Sequence, residues 1–385
     1  MKTKKIGKLI WGLTLKITFL RAIKNIFAYF FCNKLQSYMQ VWYNIFQEVK
    51  YIMETALVTG ANGFIGSHLC VNLAKRGIKV YALQRSASSK NVEYLNLVKS
   101  GQIQVIRGDV TTINTEQLPK VNFIFHIAGK VSVWGKLDEF KKINLGGTKN
   151  LLNYTKTCPL KCFTYLSSVA VYGFYGYKNI KEEAEKKPFK NPYSLSKLET
   201  ENYVKDFANK NEMPFVIIRP GNVFGEYDYT SSYQIYTRVK KQKMTICAGG
   251  KYESCFVYVE NLVEAIVYTA LNKHCHNTDY NVADNNNSLK QYLTDVAKAF
   301  NVKPKFINFA KPFAKATACM IEGIYHLFFI KKAPLITRFS VYQNCADYSF
   351  NTNKLQSKGY KMVVPMQDGI KRTVDWINSL ETTQN

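Results

Sequence analysis

Three groups of residues in this 385-residue chain have types and spacings that suit chemistry. Tyr193 and Lys197, in Tyr-Ser-Leu-Ser-Lys, stand four apart, so a helix projects both from one face. An ammonium beside a phenol stabilises the phenolate and lowers a pKa of about 10 toward the working range. Tyr193 then serves as general acid and base at a carbinol or carbonyl oxygen. Ser168 lies at the end of an apolar run in Leu166-Ser-Ser-Val-Ala-Val-Tyr-Gly173, and its hydroxyl can hold the same oxygen. The third group is Gly60-x-x-Gly63-x-x-Gly66. Glycine lets backbone amides approach a pyrophosphate with no Cβ in the way. A helix that follows adds free N–H groups and the positive end of its dipole.

Each group is weak alone, because Tyr-x-x-x-Lys recurs by chance and many strand–helix turns carry glycine for packing. Their setting strengthens them. Ala56-Leu-Val58 reads as a buried strand running into the glycine turn, and Phe64 to Arg76 continues with helical spacing. Further strands are expected at Lys79–Leu83, Ile103–Ile106, Val121–Ile127, Cys162–Leu166 and Phe215–Ile218. One helix is expected over Leu137–Lys156 and another from Tyr193. Strands alternating with helices predict an α/β fold, a doubly wound parallel Rossmann sheet. Beyond Gly221 the pattern loosens into a smaller, interleaved substrate lobe drawn mainly from residues 221–380. Within it, Phe313–Ile330 is rich in apolar residues and ends at Lys331-Lys332, which suits a core helix, a substrate lid or a membrane-touching helix.

The charge balance is strongly basic: 53 Lys and Arg against 27 Asp and Glu, a net +26. Residues 1–52 supply +8 of it, with one acid, Glu48. Such a field favours anionic partners. No nucleic-acid motif accompanies it, so specific nucleic-acid binding is not expected. Lys16, Arg21 and Lys24 interrupt every apolar run of this leader, which therefore does not cross a bilayer. The leader reads as an interfacial basic anchor or as an upstream extension ahead of Met53, followed by a main domain over residues 53–380. Nine scattered cysteines without a C-x-x-C pair suggest reduced thiols and a cytoplasmic setting. Cys158 with Cys162, and His274-Cys-His276, lack further ligands, so no metal site is expected.

Glycine turn, Ser168 and Tyr193-x-x-x-Lys197 in this order resemble the extended short-chain dehydrogenase/reductases, the NAD-dependent epimerase/dehydratase superfamily, over roughly residues 54–380. The resemblance implies an NAD(P)-dependent oxidoreductase. It implies cofactor contacts from Gly60, Asn62, Gly63, Phe64, Ile65 and Gly66, from Asp109 and Val110 at the adenine, and from Ala128, Tyr193, Lys197 and Pro220. Arg219-Pro-Gly221 is implied near the nicotinamide carboxamide. It gives Ser168, Tyr193 and Lys197 the catalytic roles and Asn144, in Ile-Asn-Leu-Gly-Gly-Thr, a structural or proton-relay role. At the end of the second strand Gln84-Arg85 replaces the acid that would hold a ribose 2′-hydroxyl. Arg85 suits a 2′-phosphate, so NADP is preferred over NAD.

Nucleotide-sugar epimerases and dehydratases of this superfamily typically grip the substrate diphosphate with an Arg where this chain has Ser254. Tyr258-Val-x-Asn261, Gly129-Lys-Val-Ser-Val-Trp-Gly135, Pro334-Leu-Ile-Thr-Arg338 and the tail through Gly359-Tyr360, Gly369 and Trp376 look like the 3β-hydroxysteroid dehydrogenase branch. The leading expectation is thus a small hydrophobic substrate, a sterol- or 3-oxoacyl-like secondary alcohol or ketone. A nucleotide-sugar epimerase or dehydratase is the alternative. A non-catalytic cofactor sensor is disfavoured because Ser168, Tyr193 and Lys197 are all retained. Peripheral membrane contact and a homodimer are further expectations.

Overall fold

The apolar runs are short and rich in Val, Ile and Phe because they are strands covered on both faces. The computed structural model describes residues 54–86 and 89–382; the basic leader, residues 1–52, lies outside them. Seven strands form one parallel sheet: β1 Thr55–Thr59, β2 Lys79–Gln84, β3 Ile103–Arg107, β4 Phe123–His126, β5 Cys162–Leu166, β6 Phe215–Pro220 and β7 Thr278–Val282. Their order across the sheet is β3-β2-β1-β4-β5-β6-β7. It reverses between β1 and β4, whose carboxyl ends therefore open the crevice where such sheets take ligands.

Successive strand residues point to opposite faces, and two cores result. Ala56, Val58, Phe123, Phe125, Val216 and Ile218 join one. Leu57, Ile124, Phe163 and Ile217 join the other. Helices Phe64–Lys75 and Val259–Leu271 pack together on the first face. Three features were hidden in the sequence. The expected helix Leu137–Lys156 is an α-helical turn Leu137–Phe140, a π-helix Lys141–Gly146 and an α-helix Gly147–Thr155. Strand β7, from beyond Gly221, returns to the main sheet. Cys247 and Cys345, read above as thiols, are joined by a disulfide across 98 positions. It ties strand Met244–Cys247 to the end of helix Arg338–Asn344.

The smaller lobe comprises a three-stranded sheet of Asn222–Phe224, Glu253–Tyr258 and Asn285–Ser288, with two short strand pairs beside it. Its junction with the main sheet is charged. Arg219, at 0% exposure, reaches Glu201 and Asp279 through its guanidinium and donates to the Tyr172 hydroxyl at 2.6 Å. Removing one partner from a buried ion cluster strands the others in a dry site. Arg219→Met should therefore lower unfolding free energy by about 3–5 kcal/mol, measured by urea unfolding. A loss below about 1 kcal/mol would mean that Glu201 and Asp279 are satisfied without it.

Candidate active site

The glycine turn is shaped by contacts that no larger residue permits. Gly60 has φ +66°, and a Cβ there would stand 3.0 Å from the Ala128 Cα. A Cβ on Gly66 would meet the Gly60 carbonyl oxygen at 2.1 Å. Close packing of β1, the turn and helix Phe64–Lys75 follows. Gly63 caps this helix with no side-chain hydrogen bond, and its first turn, with Phe64 and Ile65, carries no acid. Its N–H groups thus suit an anion. The cradle and the helix end fit a dinucleotide pyrophosphate. Asn62 donates to the Ser86 hydroxyl at 2.9 Å, linking the turn to the tip of β2.

At that tip the sequence signal holds two different residues. Gln84 is buried and accepts the Tyr94 hydroxyl at 2.6 Å, so it is committed to the core. Arg85 is exposed and stands 3.6 Å from Asp109. Asp109 also accepts the amide and hydroxyl of Thr111. Burial opposes its charge, but those bonds and Arg85 prevail and hold its carboxyl below the usual range. Val110 next to it packs against Gly147, while its carbonyl accepts from Asn150.

Beneath the crevice runs a buried polar chain. Thr59 Oγ1 lies 2.8 Å from His126 Nδ1, and His126 Nε2 lies 2.8 Å from Thr148 Oγ1. The Thr148 hydroxyl donates to the Asn144 carbonyl, and Ala128 N–H donates to Thr59 Oγ1. Burial, aided by Lys197, pushes the His126 pKa down to about 3. It is therefore a neutral imidazole tying β1, β4 and the helix Gly147–Thr155. Asn144, within the π-helix, accepts from the Lys130 N–H at 2.7 Å and donates to the Ser196 hydroxyl at 2.9 Å. A π-turn often marks a functional position. Here it turns Asn144 toward the catalytic helix.

That helix, Pro192–Lys210, starts cleanly: the Asn191 side chain accepts the Ser194 N–H, and proline occupies the first turn. Tyr193 opens it half-buried with its phenol near Ser168, whose hydroxyl oxygen accepts the Ala170 N–H at 3.2 Å. Burial raises the Tyr193 pKa, and Ser168 lowers it only in part. The expected downward shift from Lys197 is not what the structure has. The Lys197 ammonium, 3% exposed, instead donates to the Leu166 carbonyl at 2.6 Å. Burial pulls its own pKa down to about 8, against a raising influence from Glu201. Lys197 and Asn144 both border Gly129, at 3.4 and 3.3 Å from where a Cβ would stand. A lysine that releases its proton near pH 8 suits a group that holds hydroxyls and moves protons.

The remaining residues divide between site and scaffold. Pro220 ends β6 in a buried position, as Gly221 N–H closes onto the Val282 carbonyl. Arg219, implied near the nicotinamide, is spent on the buried ion cluster. Ser254 is 2% exposed, near the Tyr348 hydroxyl that accepts from Asn222. A cleft of about 420 Å³ among the described residues, lined by residues such as Asp284 and Tyr360, includes none of the catalytic side chains.

Comparison with known proteins agrees with this geometry. The profile of the NAD dependent epimerase/dehydratase family matches residues 56–283. The chain belongs to that family. It is an NAD-dependent enzyme of the extended short-chain dehydrogenase/reductase type. It is 27% identical to dTDP-D-glucose 4,6-dehydratase of Mus musculus, over 83% of this chain and 87% of that one. It is 26% identical to 2-alkyl-3-oxoalkanoate reductase of Shewanella oneidensis, over 82% and 84%. Its fold matches UDP-glucuronic acid 4-epimerase of Bacillus cereus, solved with NAD, at TM-score 0.67 and 21% identity over 85% of this chain and 97% of that one.

The neutral His126 gives a pH signature. Its unfolded form takes a proton near pH 6.5, while the folded form refuses one until about pH 3. Acid therefore favours unfolding throughout that window. Unfolding free energies of the parent from urea titrations should fall between pH 6.5 and 4 more steeply than those of His126→Gln, by up to about 1.4 kcal/mol per pH unit. Parallel curves would show that the imidazole titrates alike in both states.

Proposed function

We propose that this enzyme exchanges a hydride with a secondary carbinol carbon of a nucleotide-linked sugar, oxidising it and re-reducing it as a 4-epimerase does. The observation that carries the redox reading is the half-buried Tyr193 phenol beside Ser168, with Lys197 one turn along the same helix. The bound nicotinamide cofactor supplies a hydride acceptor and donor. Tyr193 takes and returns the hydroxyl proton, and Ser168 holds that oxygen. Lys197, anchored by its ammonium to the Leu166 carbonyl, would hold the ribose hydroxyls. The substrate class is supported by the family and by the dTDP-glucose dehydratase relative. This reverses the order of the two substrate readings drawn from sequence. Eliminating water from a sugar needs a further acid or base beside the reacting carbon, and a carboxyl is one group that serves. After Ser168 the chain runs Val169-Ala-Val-Tyr172, all buried, which favours epimerisation over dehydration.

A second reading keeps the sterol- or 3-oxoacyl-like alcohol and the 3β-hydroxysteroid dehydrogenase-like branch. Two observations favour it. The buried Ser254 offers no charge to a diphosphate, and one relative is named for reducing an oxoalkanoate. Incubation with UDP-sugars, read by NMR for the C4 epimer, separates the readings from NADPH oxidation by 2-alkyl-3-oxoalkanoates and sterol ketones. Epimer formation, reduced about 10²–10⁴-fold in Tyr193→Phe, is the expected result. Ketone reduction without any epimer would transfer the assignment to the second reading.

Preference for NADP rests on Arg85, exposed at the tip of β2 and only loosely held by Asp109. Arg85→Ala should weaken NADPH binding by about 1.5–3 kcal/mol, the range for a charged hydrogen bond, and leave NADH nearly unchanged in titrations of cofactor fluorescence. Equal weakening of both would assign Arg85 to the loop itself.

A further inference from the structure

Helix Lys311–Leu327 is divided lengthwise. Ala314, Ala318 and Glu322, spaced by four, are its buried residues, and the two alanines pack with Val341 and Cys345. Phe313, Met320, Ile324 and Leu327 repeat along the other face and are 60%, 62%, 44% and 71% exposed. The chain then continues through Phe328 and Phe329, 68% and 87% exposed. Nothing in the fold asks for aromatic side chains there.

The helix end sharpens the point. Ile330 N–H bonds the Tyr325 carbonyl and Phe329 N–H bonds the His326 carbonyl, the paired pattern of a Schellman cap. The residue at its turning point normally is glycine, because φ is positive there. This chain holds Phe329 at φ +50°. A bulky residue in that conformation is strained, and strain of this kind clusters at functional positions.

Charge identifies what that is. Lys303, Lys305, Lys331 and Lys332, all exposed, flank the exposed apolar residues in sequence, and the one acid among residues 303–338, Glu322, is buried and paired with Arg338. Aromatic and aliphatic side chains rimmed by ammonium groups match an interface of acyl chains and anionic headgroups. No helix among the described residues is long and apolar enough to span a membrane, so the contact is peripheral. We propose that Lys311–Lys332 docks on an anionic lipid bilayer, with Leu327, Phe328 and Phe329 inserted. The docked surface adjoins the active site. Trp134 Nε1 donates to the Ile330 carbonyl at 3.0 Å, and the Trp134 ring lies against Tyr325 and His326. Trp134 belongs to the loop that leaves β4 past Gly129 and Lys130, beside Lys197 and Asn144. Docking therefore sets the crevice at the bilayer surface, whichever substrate enters it.

The test is co-sedimentation of the full chain, without substrate, with vesicles of phosphatidylcholine containing phosphatidylglycerol. The parent should bind, less tightly as salt rises. Phe329→Gly removes the insertion and relieves the strain together. It should bind at least about tenfold more weakly, yet melt no lower than the parent. Lys331→Glu/Lys332→Glu should lose binding to the anionic vesicles in the same way. A parent that ignores vesicles overturns the proposal, as does equal binding by all three proteins, which would place lipid contact elsewhere, for instance in the leader. Dissociation of a parent dimer by Phe329→Gly would overturn it too, by assigning the surface to a second copy of this chain.

Discussion

The relative placement of Ser168, Tyr193 and Lys197 depends on one buried cation. Arg219 stands on β6 without contact with water, and its partners come from three other elements. Glu201 is one turn beyond Lys197 on the catalytic helix, Asp279 lies on β7, and Tyr172 follows Ser168 in the same loop. Glu201 also accepts the Ser167 hydroxyl at 2.9 Å. A buried ion pair adds little net stability, because desolvation offsets much of its attraction. Its consequence is positional. Helix, strand and loop meet in the one register that leaves no charge unpaired, and Ser168, Tyr193 and Lys197 are brought together by that requirement.

The same cluster explains which parts of the fold were legible. Strands β1 to β6 show as apolar runs because both faces are covered by helices. Strand β7 carries Asp279 and Asn281 amid apolar residues, and a polar residue in a short run reads as surface or loop. Both are buried only because Arg219, Tyr172 and Glu182 satisfy them. Nothing local to Thr278–Val282 announces partners 60 and 109 positions away. The π-helix and the Cys247–Cys345 disulfide were hidden for the same reason. Each follows from tertiary placement, and neither leaves a period in the sequence.

At the site, residue type was legible and electrostatic state was not. Gly60, Gly66, Ser168, Tyr193 and Lys197 stand where spacing and order placed them. Their ionisation depends on burial, which raises the Tyr193 pKa where a lowering by Lys197 was expected. The motifs that suggested the steroid-dehydrogenase branch turn out to bind one another. Tyr360 donates to the Asn261 carbonyl at 2.8 Å, Asn261 accepts from Val363 and Val364, and a Cβ on Gly369 would strike the Tyr258 ring at 2.7 Å. They record how the tail closes on the smaller lobe. Such packing is compatible with many occupants of the crevice, so it carries little information about substrate.

Two left-handed turns show what a sequence can reveal when local rules are obeyed and when they are broken. At Gly60 the backbone conformation and the approach of Ala128 both exclude a side chain, and glycine is the answer to a steric demand. At Phe329 the conformation makes the same demand and the surroundings leave open space, yet the chain supplies one of its largest side chains. Compliance at the first position identifies the strand–turn–helix unit and needs no further cause. The second is one of eight non-glycine residues at positive φ among the described residues, and it stands apart by the 87% exposure of its aromatic ring. That exposed ring is what the proposed lipid contact would account for.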